Sequence, residues 1–234
     1  MRQVSYAAVR QSERLDALLA PAVTALLTIE CQRGVVGPYG ALPELAAAVR
    51  ESGALDRVAE LVTAARAAGA TVLHAIAERR PDGRGANHNA RLFRAAERLP
   101  VQQTAGTPAT TLAGEIPLAD SDFVLRRLHG LSPLAGTDAD ALLRNLGIRT
   151  IIVTGVSANV AVPNAVFDAV NLGYEAVVPA DAIAGVPDDY TQAVVRHTLA
   201  LVSTVTTAAE VIESWRRRGA AKASASASAS GERH

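Results

Sequence analysis

The chain has 234 residues, of which 49% are hydrophobic and 20% are charged, and this composition excludes a disordered chain. Its 23 basic and 23 acidic residues balance, so we expect no general attraction to nucleic acid or to an anionic membrane. The single cysteine, Cys31, excludes an intrachain disulfide and a cysteine-based metal site. Because the sequence shows no apolar signal segment and no membrane-spanning run, we expect a cytoplasmic protein.

Apolar strands and amphipathic helices alternate along the chain after a polar arm at residues 1–22. The predicted strands lie at 25–30, 71–77, 123–127, 151–153, 175–179 and 203–206. The predicted helices are a short one starting at Pro43 and longer ones at about 54–68, 90–98, 138–146, 160–170, 188–201 and 208–217. This alternation predicts an α/β fold with three α/β/α layers and a six-stranded, mostly parallel sheet. We expect one domain at residues 1–217 and a disordered Ala/Ser-rich tail at 218–234.

The turn that follows the fourth predicted strand is the first place to look for chemistry. In an open α/β sheet, ligands bind beyond the carboxyl ends of the strands, where helix N-termini offer free N–H groups. The sequence has neither a Walker-type loop nor a G-x-G-x-x-G after the first strand, so a nucleotide cofactor is not expected. It also has no His/Asp pair at ligand spacing, so we predict no metal.

Three segments, at residues 25–37, 123–155 and 155–185, resemble the isochorismatase-like hydrolases, also called the cysteine hydrolase superfamily. The resemblance extends over about residues 22–215. It implies a small-molecule substrate, either a small amide or a vinyl ether such as isochorismate, and a homodimer or homotetramer. The missing nucleotide and metal motifs predict that no cofactor is used.

The sequence departs from that family at all three positions of its usual chemistry. Where the family has an aspartate closing the first strand, Glu30 stands here, and Arg127 stands near the position of the family lysine, with Arg126 beside it. Ala161 stands at the position of the family cysteine, which excludes thiol catalysis through that residue. Ala161 is either natural, in a divergent branch of the family, or engineered in place of a cysteine. The simultaneous departures at Glu30 and Arg127 favour the divergent branch.

Glu30 is the strongest candidate for acid–base chemistry. A carboxylate ending an apolar strand is costly unless it is paired, and Arg127 or Arg126 is the expected partner. One interpretation is a base held ionised by arginine; the other is a structural ion pair. Cys31 is the neighbour of Glu30, so it faces the opposite side of the strand, where a buried thiol packs as a small apolar group.

By the same resemblance, the peptide bond between Val156 and Ser157 is a non-proline cis bond. It would direct the N–H groups of Ala158 and Ala161 at a substrate oxygen, as an oxyanion hole does.

The segment after the second strand contains five basic residues, Arg79, Arg80, Arg84, His88 and Arg91. One interpretation is a site for a substrate carboxylate or phosphate, and the other is a solvated loop or subunit contact. His129 follows the third strand within reach of the site, whereas His74 lies inside the second strand and is expected to be a core residue.

Two function classes remain open from the sequence. One is a hydrolase or lyase using Glu30 as acid and base, and the other is an inactive family member that binds a ligand or serves in assembly. The candidate catalytic positions are Glu30, Arg127 and Ala161, and the candidate substrate-binding residues are Gln32, Arg79, Arg126, His129, Ser157 and Ala158.

Overall fold

The part of the chain that the structure describes forms a sheet of seven strands, one more than predicted. The structure is a computed structural model, and it describes residues 6–38 and 40–231. The additional strand has only two residues and lies in a predicted loop, because so short an apolar pair has no detectable period. The strands are β1 (Thr24–Ile29), β2 (Thr71–Ala77), β3 (Phe123–Arg127), β4 (Thr150–Val156), β5 (Glu175–Pro179), β6 (Ile183–Ala184) and β7 (Thr204–Thr206).

All the strand pairings are parallel, in the order β3-β2-β1-β4-β5-β7, with β6 pairing to the end of β4. The non-consecutive order places helical crossovers on both faces, as the βαβ alternation predicts. The strands β1 and β4 lie at the centre and are buried along their whole length. The predicted α/β fold with a mostly parallel sheet is therefore confirmed.

Two terminal predictions differ from the structure. The predicted polar arm contains a helix, and the last helix continues to Gly231 where a disordered tail is predicted from residue 218. Alanine is the best helix former and no Gly or Pro interrupts the Ala/Ser run before Gly231, so nothing local ends the helix. The helices are α1 (Tyr6–Leu18), α2 (Arg33–Val36), α3 (Pro43–Ser52), α4 (Ala54–Ala68), α5 (Arg91–Ala96), α6 (Ala139–Asn145), α7 (Ala161–Asn171), α8 (Asp188–Val194), α9 (Ala200–Val202) and α10 (Ala208–Gly231).

Two hydrophobic cores cover the two faces of the sheet. Alternate side chains of β1 face opposite ways, so Leu27 and Ile29 pack with α6 and α7, whereas Leu26 packs with α4 and α10. Trp215 of α10 closes the second core, and its indole N–H donates to the carbonyl of Leu19 at 3.1 Å. Helices packed on both faces hold the sheet in place. The carboxyl ends of the parallel strands β1 to β4 meet at one edge of this sheet.

Gly155 permits the close approach of β4 to β1 beside this edge. Its φ angle is +98°, and a β-carbon there would collide with the carbonyl oxygen of Ile29. The next residues, Val156 and Ser157, are joined by a cis peptide bond, as the family resemblance implies.

Candidate active site

Glu30 leaves the end of β1 in a left-handed conformation, with φ at +51°, which is uncommon for a residue with a side chain. Its N–H donates to the carbonyl of Ala75 at 2.9 Å, and its own carbonyl accepts from the N–H of Gln32 at 2.8 Å. These bonds hold the unusual backbone in place. Such conformations concentrate at functional sites, where the surrounding structure maintains them.

The carboxylate of Glu30 forms an ion pair with the guanidinium of Arg127, the last residue of β3. The Arg127 side chain is 6% exposed and that of Glu30 is 22% exposed, so the pair is shielded from bulk water but open on the glutamate side. Arg127 also donates to the carbonyl of Gly130 at 2.5 Å. Its Nε–H is buried and has no partner among the described residues.

Burial raises the pKa of the Glu30 carboxyl, and the charge and hydrogen bond of Arg127 act against that shift. A carboxylate with a raised pKa accepts a proton more readily than an exposed glutamate does. General acid–base catalysis favours such a group, because its pKa is closer to the pH at which the protein operates.

The turn into α7 supplies one of the two expected N–H donors. The N–H of Ala158 donates to the carbonyl of Ala184 at 2.8 Å, so the expectation that it binds a substrate oxygen is wrong. The short strand β6, which the sequence did not reveal, is the reason. Ala161 is the first residue of α7, and within the described chain its N–H has no recorded hydrogen-bond partner.

A cavity of about 290 Å³ lies over these groups. Glu30, Arg127, Ser157 and Ala161 form its floor, so the predicted meeting of the three family positions is observed. The segment 78–103, together with residues from α2, α3 and the loop 128–131, forms its walls. Asn87 anchors that loop by accepting a hydrogen bond from the N–H of Gly130 at 2.7 Å. The floor therefore joins a carboxylate, a guanidinium and a free N–H beside a side chain that lacks any nucleophilic atom.

A model of the isochorismatase domain matches residues 24–210, which is most of the chain. The chain belongs to the isochorismatase family. The match confirms the resemblance found in the three sequence segments, and it begins at β1 and ends in the first turn of α10.

Proteins of the isochorismatase family are also found among the relatives and solved structures similar to this chain. A ureidoacrylate amidohydrolase, RutB, of Methylorubrum extorquens is 30% identical over 171 residues, which is 68% of each chain. A cysteine hydrolase of Pseudomonas syringae has a TM-score of 0.74 at 24% identity, over 86% of this chain and 95% of that one. An isochorismatase family protein of Desulfovibrio vulgaris has a TM-score of 0.72 at 27% identity, over 82% and 97%.

Arg126, the alternative partner of Glu30, faces away from the cavity. Successive residues of a strand point to opposite faces, and the guanidinium of Arg126 pairs with Glu78 at 3.0 Å with its side chain 53% exposed. Gln32 does not line the cavity either. Its amide nitrogen donates to the carbonyl of Ala77 at 2.9 Å and its oxygen accepts from the Ala77 N–H at 2.8 Å, so it joins the ends of β1 and β2.

Arg79 and His129 line the cavity wall, and Arg79 is the only arginine of the predicted basic segment that does so within the described chain. Its guanidinium donates to the side chain of Gln102 at 2.9 Å. Arg80 instead pairs with Asp82 on the surface at 2.8 Å. Of its basic side chains in the described chain, the predicted basic segment therefore contributes only that of Arg79 to the cavity wall.

Cys31 and His74 lie in the interior, as expected. Burial, with a contribution from the nearby Glu30 charge, raises the pKa of the Cys31 thiol to about 12, so it is protonated and packs on the face of the sheet opposite α7. The ring of His74 contacts Thr28 and Asp122. Among the described residues no group of three or more His, Cys, Asp or Glu side chains is arranged to hold a metal.

Glu78 is a cavity residue that the sequence analysis missed. It follows β2 just as Glu30 follows β1, and its backbone N–H donates to the carbonyl of Arg127 at 3.0 Å. That repeated position, an acid directly after a buried parallel strand, is the signal that would have found it. The apolar wall around α5 carries no comparable sequence signal, because its side chains contact the cavity rather than a core.

None of the helices in the described part of the chain has the length and apolar character that crossing a bilayer requires. The homodimer or homotetramer stays a prediction.

Proposed function

We propose that this protein hydrolyses the amide bond of a small molecule by activating water with Glu30, without a thiol nucleophile. The observation that carries the proposal is the Glu30–Arg127 pair on the cavity floor beside Ala161. The similarity to a ureidoacrylate amidohydrolase supports an amide as the bond that is cleaved.

In the proposed reaction, the Glu30 carboxylate takes a proton from a water molecule whose oxygen attacks the amide carbonyl carbon. The carbonyl oxygen becomes negatively charged, and the N–H of Ala161 donates a hydrogen bond to it. The protonated Glu30 then returns the proton to the amide nitrogen as the C–N bond breaks. The products are a carboxylic acid and an amine or ammonia, so atoms and charge balance.

Arg127 acts in this scheme as a positioning residue and not as a proton carrier. A guanidinium stays protonated in proteins, whereas a lysine at this position could exchange a proton. Its bonds to Glu30 and to the carbonyl of Gly130 fix the direction of the carboxylate. Burial raises the pKa of Glu30, and the positive charge of Arg127 opposes that shift and so favours the ionised form that accepts the proton.

Ala161 favours a second candidate function, a member of the family that binds a ligand without converting it. Without a thiol at this position, no covalent acyl intermediate forms there. A vinyl ether is a further substrate type on which Glu30 could act as acid and base. Turnover assays separate these possibilities, because only the hydrolase releases product.

The test measures ammonia release from a panel of small primary amides by the wild type, Glu30→Gln, Cys31→Ser and Glu44→Gln. We expect turnover by the wild type and loss of at least about a hundredfold in kcat/KM for Glu30→Gln, because the base is removed. Cys31→Ser tests for a thiol mechanism, and Glu44→Gln is an exposed carboxylate control. Absence of turnover in the wild type, or full activity in Glu30→Gln, would overturn the proposal.

A further inference from the structure

The walls of the cavity above its charged floor are apolar. Side chains from four separate parts of the chain contribute to them: Val35, Leu45, Phe93, Leu99, Val101 and Leu131. The mouth is also apolar, since the large hydrophobic side chains of Leu42, Leu92 and Leu128 line the cavity while being exposed to solvent. Exposed leucines around an opening are typical of a surface that receives an apolar group.

The two arginines that line the cavity already have partners. Arg127 is paired with Glu30, and Arg79 bonds to Gln102 and lies 3.9 Å from the carboxylate of Glu97. The lining also contains three carboxylates, and each has a basic partner: Glu30 pairs with Arg127, Glu78 with Arg126, and Glu97 with Arg79 and His88. A substrate carboxylate would therefore have to take an arginine from the protein carboxylate or amide that already binds it, which is costly in a shielded site.

We propose that the substrate is an electrically neutral amide with an apolar body, and that the site discriminates against carboxylate-bearing amides. This inference rests on the proposed hydrolase function and adds the substrate class. The amide carbonyl lies on the floor at the Ala161 N–H, and the apolar body contacts the walls formed by α5 and by Leu45 and Leu131. The volume of about 290 Å³ is at the lower end for ligand pockets, so the body is small.

The test compares amides that differ only in the group far from the scissile bond. Hexanamide ends in a methyl group, 6-amino-6-oxohexanoate replaces that methyl with a carboxylate, and 5-aminopentanamide replaces it with an ammonium. Initial rates give kcat/KM, and calorimetric titration gives Kd. Compared with the carboxylate, we expect hexanamide to have a kcat/KM at least about tenfold higher and a Kd at least about tenfold lower, each of which corresponds to about 1.4 kcal/mol.

The two readouts separate failure of this inference from failure of the proposed function. Turnover of the carboxylate equal to or faster than that of hexanamide overturns the inference and leaves the hydrolase intact. Preferential binding of hexanamide without turnover of any amide supports the inference and removes the hydrolase. Binding of neither compound, or equal binding of both, overturns the inference. A preference for the ammonium compound over hexanamide overturns it as well, because it would show that the carboxylates of the lining, and not the apolar walls, select the substrate.

A charge introduced at the mouth provides the matched variant. Leu92→Arg places a cation on the cavity rim, where the native side chain is 50% exposed, so the fold should tolerate it. Leu118→Arg is the control, because Leu118 is 58% exposed and does not line the cavity. We expect Leu92→Arg to reduce the preference for hexanamide over the carboxylate by about threefold or more, and Leu118→Arg to leave it unchanged. An unchanged preference in Leu92→Arg would contradict the assignment of this mouth as the entry for substrate.

Discussion

Two carboxylate–arginine pairs stand near opposite ends of the same strand, and they differ in how completely their hydrogen-bonding groups are used. Asp122 immediately precedes β3 and pairs with Arg66 of α4, whereas Arg127 ends β3 and pairs with Glu30. Both pairs are shielded from bulk water. The comparison separates a pair that stabilises the fold from a pair that is available for chemistry.

Both oxygens of the Asp122 carboxylate are occupied by hydrogen bonds. It accepts hydrogen bonds from both Arg66 Nε, at 3.1 Å, and Arg66 Nη2, from the N–H of Ala119 at 3.0 Å, and from His74 Nε2 at 3.2 Å, and its side chain is 1% exposed. Burial lowers the pKa of His74, which favours the neutral ring, so its Nε2–H donates to Asp122 and its Nδ1 accepts from Thr28 at 2.7 Å. The cavity over Glu30 does not include Asp122, Arg66 or His74 in its lining.

The Glu30–Arg127 pair uses fewer of its hydrogen-bonding groups than the Asp122–Arg66 pair does. Glu30 is held in a left-handed backbone conformation, it has one cationic partner, and it faces a cavity. Burial acts to raise the pKa of both carboxyls, but the hydrogen bonds to Asp122 outweigh it and lower its pKa, whereas burial prevails at Glu30. The folded protein therefore favours the charge on Asp122 and disfavours the charge on Glu30, which is the physical difference between the two pairs.

The largest expected effect is a loss of stability in Asp122→Asn. Removing the charge leaves the partly buried Arg66 without its counter-ion and weakens the contact of the buried Asp122 position with His74, which should cost about 3 kcal/mol in the free energy of unfolding. Chemical denaturation measures this cost. Asp82→Asn, at an exposed pair with Arg80, is the control and should show no measurable change. Equal stability of Asp122→Asn and the wild type would remove the structural role.

Glu30→Gln should show the reverse combination. Because the folded state disfavours the charge on Glu30, a neutral isostere that still accepts from Arg127 should cost only about 1 kcal/mol in unfolding free energy. The same variant should lose nearly all amide turnover. Denaturation and kinetics on one preparation check both points, and a stability loss as large as that of Asp122→Asn would show that the two pairs have the same role.

The comparison also shows how much could be predicted from sequence. The alternation of apolar strands and amphipathic helices along the sequence predicted the parallel sheet. It also predicted the edge where Glu30, Arg127 and Ala161 meet, because the carboxyl ends of parallel strands share one edge. The sequence did not decide between Arg126 and Arg127, because that choice depends on which face of β3 points toward the cavity. It also did not show that the Ala158 N–H is already bonded, because its partner Ala184 lies in β6, a strand too short to show a pattern. The Asp122 network was missed, since its members lie far apart in sequence and its geometry comes only from packing.

The two pairs should give stability profiles of opposite slope with pH. Asp122 has a lowered pKa in the folded state, so its contribution is present above the unfolded-state pKa and is lost as the pH falls through the folded-state pKa. Glu30 has a raised pKa, so its contribution is complete below the unfolded-state pKa and is lost as the pH rises through the folded-state pKa.

Unfolding free energies at several pH values, each compared with the corresponding variant, test these slopes. The advantage of the wild type over Asp122→Asn should shrink on acidification below the ordinary aspartate range. Its advantage over Glu30→Gln should shrink as the pH rises above the ordinary glutamate range. Two slopes of the same sign would contradict the assignment of opposite pKa shifts.

The smallest expected effect separates the two neighbouring arginines at the end of β3. Arg126 lies outside the cavity and is 53% exposed, although its partner Glu78 lines the cavity, so Arg126→Gln should change stability by less than about 1 kcal/mol and kcat/KM by no more than about twofold. Arg127→Gln leaves Glu30 without its counter-ion, so it should reduce both quantities far more. Kinetics and denaturation of the two variants side by side make the measurement. Equal losses in both would show that Glu78–Arg126 belongs to the reactive group, and the contrast between the faces of β3 would then have to be abandoned.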